Sequence, residues 1–174
     1  DRGGLFYEEA VTLRVNDLID QTPTDISTSS TSFNENISSG SVVATLSTTD
    51  EDASDSHTYE LASGTGDTDN ALFTIEGSEL KINSSPDYET KSSYSVRLKT
   101  TDSGGLSYEE AFTFSVNDVN EVATDISLSS GSFNENIDAA STVATLSTTD
   151  EDASDNHTYS LVSGTGDTDN AAFT

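Results

Sequence analysis

The chain has 174 residues, 32 of them acidic and 6 basic, and its formal charge is −26. This charge disfavours nucleic acid as a partner, because phosphate contacts require clustered lysine and arginine. The absence of cysteine excludes a disulfide framework, and no apolar run approaches the ~20 residues of a membrane span.

The distribution of apolar residues predicts strands. A hydrophobic content of 32% would also suit a disordered chain, but the aromatic and β-branched residues alternate with polar ones, as in half-buried strands. No stretch of helical length shows a 3.6-residue period. In chain order, the predicted strands cover residues 7–16, 25–30, 42–46, 57–61, 72–75, 79–82, 94–100 and 108–117.

The sequence repeats itself. The segment SFNENI at 32–37 returns at 132–137, and SGTGDTDNA at 63–71 returns at 163–171, in both cases 100 residues later. GGLFYEEA at 3–10 matches GGLSYEEA at 104–111, which is 101 residues later. A period near ~100 residues is the size of one β-sandwich, so it indicates whole domains in tandem.

These offsets define the predicted domain organisation. Residues 1–17 are expected to be the C-terminal strand of a preceding repeat, residues 18–118 a complete repeat, and residues 119–174 the N-terminal half of the following repeat. Residues 119–173 should therefore superpose on residues 19–73. Each complete repeat contains seven predicted strands, which favours an all-β chain of sandwiches joined head to tail.

Acidic residues gather between the predicted strands. STTDEDASD occurs at 47–55 and again at 147–155, with four carboxylates in nine residues. Two such groups about 5 Å apart repel by roughly 3 kcal/mol at an effective dielectric of ~20, so either a cation neutralises them or they form a solvated acidic surface. Carboxylates with nearby amide oxygens suit Ca²⁺, and Mg²⁺ is the second choice because it needs tighter geometry. Zinc is disfavoured, since there is no cysteine and the two histidines lie 100 residues apart.

Five motifs in order resemble those of cadherin repeats of the bacterial type. FNENI is similar to the family's Pro-Glu-Asn-type motif and DED to its Asp-x-Asp motif. DYE is similar to its Asp-Arg-Glu motif, TDSGG to its x-Asp-x-Gly motif, and DVNEVA to its Asp-x-Asn-Asp-Asn-x-Pro linker. The resemblance covers essentially the whole chain and implies tandem Greek-key sandwiches of the immunoglobulin and cadherin type, with Ca²⁺ bound at the joints between domains.

The resemblance also implies a ligand set at each joint. At the second joint the implied ligands are Glu35, Asp87, Glu89, Asp118, Asn120 through its carbonyl, Glu121, Asp150 and Asp152. At the first joint they are Asp17, Asp20, Asp50, Asp52 and Asp102, which match the family's ion nearest the lower domain.

The linkers depart from the family pattern. The second linker has Glu121 and Val122 where the family has Asp and Asn, and Ala123 in place of proline. The first linker is expected to have Ile19 in the place of Asn120 and an extra residue before Pro23. Outside the joints, Asp67 and Asp69 could bind a further ion, although an Asx-turn loop explains them better.

The expected function is that of a calcium-rigidified spacer or adhesion repeat in a long extracellular, cell-surface protein or filament. Its partners would be the neighbouring repeats of the same chain, with a homophilic or cell-surface partner as a further possibility. The alternative is a recognition module that binds a partner cell protein or a carbohydrate directly. An enzyme is disfavoured, because the carboxylates recur at every period, whereas a catalytic site is expected once, in a pocket.

Overall fold

Strands make up the regular structure of the chain. The computed structural model describes residue 4, residues 6–13 and residues 19–174. These residues contain no α-helix, and short 3-10 turns lie at Asn70–Leu72 and Asn170–Ala172. Their strands are β1 (Asp25–Thr28), β2 (Ser32–Asn34), β3 (Val42–Thr49), β4 (Thr58–Leu61), β5 (Phe73–Glu76), β6 (Glu79–Ile82), β7 (Ser93–Thr101), β8 (Ser107–Asn117), β9 (Asp125–Leu128) and β10 (Leu146–Thr149).

Strands β1 to β8 build two four-stranded sheets that face each other. One sheet has the order β1-β3-β6-β5 and the other β2-β8-β7-β4. The chain crosses between the sheets after β1, β2, β3, β4 and β6, as expected for a Greek-key sandwich. The all-β prediction is confirmed. No helix in the described part of the chain is long and apolar enough to cross a lipid bilayer.

Alternation along β7 shows how the sequence selects the buried face. Tyr94, Val96, Leu98 and Thr100 are buried, while the residues between them are more exposed. Successive side chains of a strand point to opposite faces, so one residue of slippage would expose this whole set. β8 pairs with β7 along the full length of β7, from Ser93–Ser115 to Thr101–Ser107.

The segment from residue 25 to residue 34 contributes one strand to each sheet. β1 pairs antiparallel with β3, whereas β2 pairs parallel with β8 through Phe33 and Val116. The prediction for residues 25–30 therefore located β1 and missed β2. The other strands predicted between 42 and 117 are all present, with ends that differ by a few residues.

Four aromatic rings form the centre of the core. Phe33 lies 5.9 Å from Tyr94 and 6.3 Å from Phe114 between ring centroids, and Phe73 lies 5.6 Å from Tyr94 at an interplanar angle of 85°. Such tilted and edge-on pairs add to the burial of apolar area. The rings come from both sheets, so they join the two layers of the sandwich.

The chain beyond residue 118 repeats the start of the sandwich. β9 pairs with β10 from Asp125–Thr149 to Leu146–Leu128, which is the register of β1 with β3 shifted by 100 residues. Its apolar face is open within the described residues, since Ile126 is 63% exposed and its counterpart Ile26 only 2%. The domain boundaries at 17/18 and 118/119 remain predictions.

The strand predicted at residues 7–16 is not formed over 7–13. Residues 6–13 belong to neither sheet, and Phe6, Tyr7, Val11 and Leu13 are exposed. Their sequence counterpart β8 is held extended by β7 on one side and β2 on the other, whereas none of the described strands pairs with residues 6–13. Residues 14–16, the rest of this predicted strand, lie outside the described residues.

Candidate metal centre

The loop after β3 brings carboxylates to the first joint. Asp52 lies just beyond the end of β3, and its Oδ2 accepts a 2.6 Å hydrogen bond from the amide of the linker residue Gln21. The preceding linker residue, Asp20, then meets this loop. One carboxylate oxygen each of Asp20, Asp52 and Asp55 lies within 4.8 Å of the others.

Local hydrogen bonds fix the shape of this loop. The amide of Asp52 donates to Oδ1 of Asp50 at 3.0 Å, and the amide of Asp55 donates to the carbonyl of Asp52 at 2.9 Å. His57 lies 3.1 Å from Asp50 Oδ2. This hydrogen bond is the main reason that the pKa of Asp50 is lowered, with the amide of Asp52 second. Asp50 therefore stays ionised and available to a cation.

Asp102 closes the site from the end of β7. Its side chain is buried, and Oδ1 accepts hydrogen bonds from the amides of Gly105 and Leu106 at 2.7 and 2.8 Å. Asp102 forms a second cluster with Asp50 and Asp55, again with oxygens within 4.8 Å.

A glycine makes room for the linker beside Asp102. A Cβ at Gly104 would overlap the carboxylate of Asp20. The first glycine of the TDSGG motif therefore lets the linker carboxylate lie directly against the turn.

At the second joint, the corresponding centre begins with the buried carboxylate Glu35. Its Oε2 accepts from the amide of Tyr88 and its Oε1 from the amide of Val119, both at 2.7 Å. It thus ties the end of β2 to the DYE loop and to the linker. Glu35, Glu89 and Asp118 offer oxygens within 4.8 Å of one another.

The following unit contributes Asp150 and Asp152 to this joint. The amide of Glu121 donates to Oδ2 of the buried Asp152 at 2.8 Å, while Asp150 lies 3.8 Å from His157. A cleft between the two units is lined by Tyr88, Glu89, Asp118 and Asp152. Oxygen ligands from both units and from the linker therefore face one space.

Desolvation and neighbouring negative charges raise the pKa values of the joint carboxylates. Loss of hydration raises the pKa of Asp118, and the charges of Asp152 and Glu35 raise it further. The pKa values of Glu89 and Glu121 are raised in the same way, with desolvation first and neighbouring carboxylates after it. At the first joint, desolvation and then Asp102 and Asp55 raise the pKa of Asp20. Among the described residues, negative charge dominates each centre, and a bound cation would offset it.

Some predicted ligands lie apart from these clusters. Both carboxylate oxygens of Asp87 bind Thr90, one its amide and one its hydroxyl, at 2.8 and 2.7 Å, so Asp87 holds the DYE turn. Asn120 directs its Nδ2 to the carbonyl of Glu121. Asp17 lies outside the described residues.

The two linker amides correct the predicted linker alignment. Gln21 and Glu121, 100 residues apart, make the same bond to Asp52 and Asp152. Asp20 therefore takes the place of Asn120, and the prediction that Ile19 does so is wrong. The extra residue of the first linker lies on the N-terminal side of Asp20, because the amide contact fixes the register after it.

Asp55 is the site residue that sequence reasoning missed. It belongs to both clusters at the first joint, although none of the motif matches included it. The available signal was its recurrence as Asp155 in the repeated STTDEDASD segment.

The carboxylates of the GTGDTDN loop are hydrogen-bonded to other groups of the same sandwich. Asp67 Oδ2 accepts from the amide of Gly64 at 2.9 Å, and the buried Asp69 binds the amide of Ser95 and the ammonium of Lys91 at 2.7 and 2.8 Å. These bonds fit the turn interpretation of the loop.

The donor set at the joints suits calcium. Two oxygens on opposite sides of a calcium ion lie at most about 5 Å apart, and the clustered oxygens lie within 4.8 Å. Asp55 Oδ2, Asp102 Oδ2 and Glu121 Oε2 are buried without a hydrogen-bond partner among the described residues. A buried carboxylate oxygen without a donor is costly unless a cation replaces the missing one.

Comparison with known proteins supports the fold. No family model matches the chain. Among solved structures, the chain resembles protocadherin gamma B7 extracellular cadherin domains 1-4, with a TM-score of 0.51 and 22% identity over 76% of this chain and 33% of that one. It also resembles PcdhgB3 EC1-4, with a TM-score of 0.56 and 22% identity over 84% and 39% of the two chains.

A third similar structure is human protocadherin-24 EC1-2, with a TM-score of 0.54 and 22% identity over 76% of this chain and 60% of that one. The chain thus spans between a third and about 60% of the length of these structures. Similarity at this level of identity establishes the architecture, and the chain has a cadherin-like fold.

Proposed function

We propose that the chain is a calcium-binding structural repeat of a long extracellular protein, in which Ca²⁺ stiffens the joints between consecutive sandwich domains. The observation that carries the proposal is the convergence at the second joint. Glu35 and Glu89 come from the complete sandwich, Asp118 from the linker, and Asp152 from the unit that follows.

The physical basis is the balance of repulsion and attraction at each joint. Without metal, the carboxylates of two domains and a linker repel one another. Desolvation is the main cause of the raised pKa values of Asp118 and Glu121, and the charges of neighbouring carboxylates raise them further. With Ca²⁺ bound, the same groups are drawn to one point, and the linker loses its freedom to bend. We place the domain boundaries at 17/18 and 118/119. Each boundary then lies within the linker that connects two consecutive domains.

A spacer or adhesion role follows better than catalysis. The acidic loop occurs in the same form at both joints, at Asp50 and Asp52 and again at Asp150 and Asp152. Repetition suits a mechanical element that every domain must carry. Neighbouring repeats of the same protein are the proposed partners, and homophilic or cell-surface contacts extend the proposal to adhesion.

Small-angle X-ray scattering on the 174-residue chain tests this proposal. The maximum dimension should be larger and the distance distribution narrower in millimolar calcium than in chelator. The matched control is Glu76→Gln, which removes one exposed charge on the sandwich away from both joints. Asp118→Asn combined with Asp152→Asn should abolish the calcium response. Identical profiles of the unaltered chain in calcium and in chelator would refute the proposal.

A further inference from the structure

We propose that Asp55 is a bridging ligand that holds two divalent cations side by side at the first joint. This inference rests on the proposed calcium-binding function and adds a ligand that the motif resemblance does not contain. Asp55 is the one residue common to the two groups of carboxylates around the loop after β3. The first group is completed by Asp20 and Asp52, the second by Asp50 and Asp102.

The geometry gives each oxygen of Asp55 a separate role. Oδ1 accepts a 2.8 Å hydrogen bond from the hydroxyl of Ser103, next to Asp102, which orients the carboxylate. Oδ2 is buried and has no hydrogen-bond partner in the described part of the chain. A carboxylate held this way can share its oxygens between neighbouring cations, since each offers more than one lone pair.

Asp102 provides an independent indication of a cation. The residue is 7% exposed, and its Oδ1 already accepts hydrogen bonds from two amides. Its Oδ2 is buried without a donor among the described residues. Leaving such an oxygen unpaired in the interior is unfavourable, and a cation against the Asp50, Asp55 and Asp102 group removes that penalty.

The charge of the site is consistent with two ions. The two groups together contain five carboxylates, and the nearest cationic candidate described, His57, is hydrogen-bonded to Asp50. One divalent ion would leave most of that negative charge uncompensated, whereas two nearly cancel it. Calcium tolerates a shared carboxylate because its coordination is flexible and takes 6–8 oxygens.

Calcium titration by isothermal calorimetry on the full 174-residue chain tests the bridge. All variants carry Asp118→Asn and Asp152→Asn, so that the remaining binding comes from the first joint. Asp55→Asn should lower the affinity for both ions by at least about 10-fold, because even outer-shell substitutions commonly cost ~10–100-fold in metal affinity. Asp20→Asn and Asp102→Asn should each lower the affinity for one ion and leave the affinity for the other unchanged.

Two further variants serve as a control and as a second test of the bridge. Glu51→Gln removes the same charge from an exposed neighbour in the same loop, outside both groups, and should leave both affinities nearly unchanged. Ser103→Ala keeps every carboxylate but frees Asp55 Oδ1, and should lower both affinities by roughly 10-fold. It also serves as the test if Asp55→Asn fails to fold in chelator.

The possible results separate the two proposals. The bridge is supported if Asp55→Asn weakens the binding of both ions while Asp20→Asn and Asp102→Asn each weaken the binding of one. A chain that binds calcium and stiffens while Asp55→Asn loses one ion or none refutes the bridge and leaves the proposed function intact. An equal effect of Glu51→Gln refutes it as well, since general charge would then explain the loss. A chain without any calcium binding refutes both proposals.

Discussion

The backbone amide of Glu121 donates a 2.8 Å hydrogen bond to Oδ2 of Asp152, 31 residues further along the chain. One repeat earlier, Gln21 makes the same bond to Asp52 at 2.6 Å. Each linker is thus attached to the loop of the following unit by a hydrogen bond within the chain, which needs no metal. A cation at the joint would add to an arrangement that already positions its ligands.

Replacing Asp52 should show how stability depends on calcium. A site at 100-fold saturation adds about 2.7 kcal/mol, so Asp52→Ala should reduce the free energy of unfolding by up to this amount in calcium. In chelator the loss should stay below about 1 kcal/mol, since only the bond from Gln21 disappears. Chemical denaturation in both conditions measures the difference. Glu51→Ala is the control, and equal losses of Asp52→Ala in both conditions would show a purely structural role.

Glu35 should matter with and without metal. It is 3% exposed and accepts from the amides of Tyr88 and Val119. Glu35→Ala leaves these donors without their acceptor, so we expect a loss of about 1–3 kcal/mol in chelator. The loss in calcium should be larger, because a proposed ligand disappears as well. The matched control is Glu135→Ala, at the same motif position but exposed. A loss confined to calcium would mean that Glu35 acts as a ligand alone.

Phe114 should be the most sensitive position of the core. It is 0% exposed and contacts the rings of Phe33 and Phe73. Phe114→Ala should cost about 3–5 kcal/mol, as large cavities in aromatic cores do. Phe173→Ala, at a ring that is 41% exposed, should cost less than about 1 kcal/mol. Thermal unfolding followed by circular dichroism compares the two, and similar losses would contradict the described core.

The metal-free protein should gain stability on mild acidification. The folded-state pKa values of Glu89, Asp118 and Glu121 are raised, chiefly by desolvation. A carboxyl with a raised pKa binds more protons when folded, so its contribution falls as pH rises through the window above its ordinary value of about 4. The free energy of unfolding of metal-stripped protein should therefore be higher at pH 5 than at pH 7.

The lower limit of this trend follows from Asp50, whose pKa is lowered, mainly by the hydrogen bond from His57. Its contribution is present above the unfolded value near 3.8 and is lost as pH falls through the lower folded value. Stability should thus decline again below about pH 4. Denaturant titrations from pH 3 to 8 measure the decline on each side of the maximum. Stability that rises steadily from pH 5 to pH 7 would contradict the raised pKa values at the joints.

Much of the fold could be predicted because alternation is a local property of the chain. The pattern of β7, with Tyr94, Val96 and Leu98 on one face, reads directly from the sequence. β2 could not be found in this way. It has three residues, too few to show a period, and its position depends on parallel pairing with the distant β8.

The site was predictable in outline but not in its contacts. Motif order placed Glu35, Asp52 and Asp102 at the joints. Asp87 binds Thr90 in its own turn. The spacing of residues in the sequence does not reveal whether such a side chain binds a local partner or a distant one. Asp55 reaches the site because a turn folds its amide back on Asp52. The equivalence of Asp20 with Asn120 depends on where the linker bonds to the next loop.

The placement of β1 and β2 in opposite sheets determines how the domain would bear tension. β2 and β8 run parallel and pair from Ser32–Ser115 to Asn34–Asn117, with flanking bonds from Ser115 to Thr31 and from Glu35 to Asn117. A force pulling the linker at residue 24 away from the linker at residue 118 draws these two strands in opposite directions along their length. The bonds between them would then be loaded together in shear instead of opening one after another, and this short strand would resist separation of the two ends of the domain.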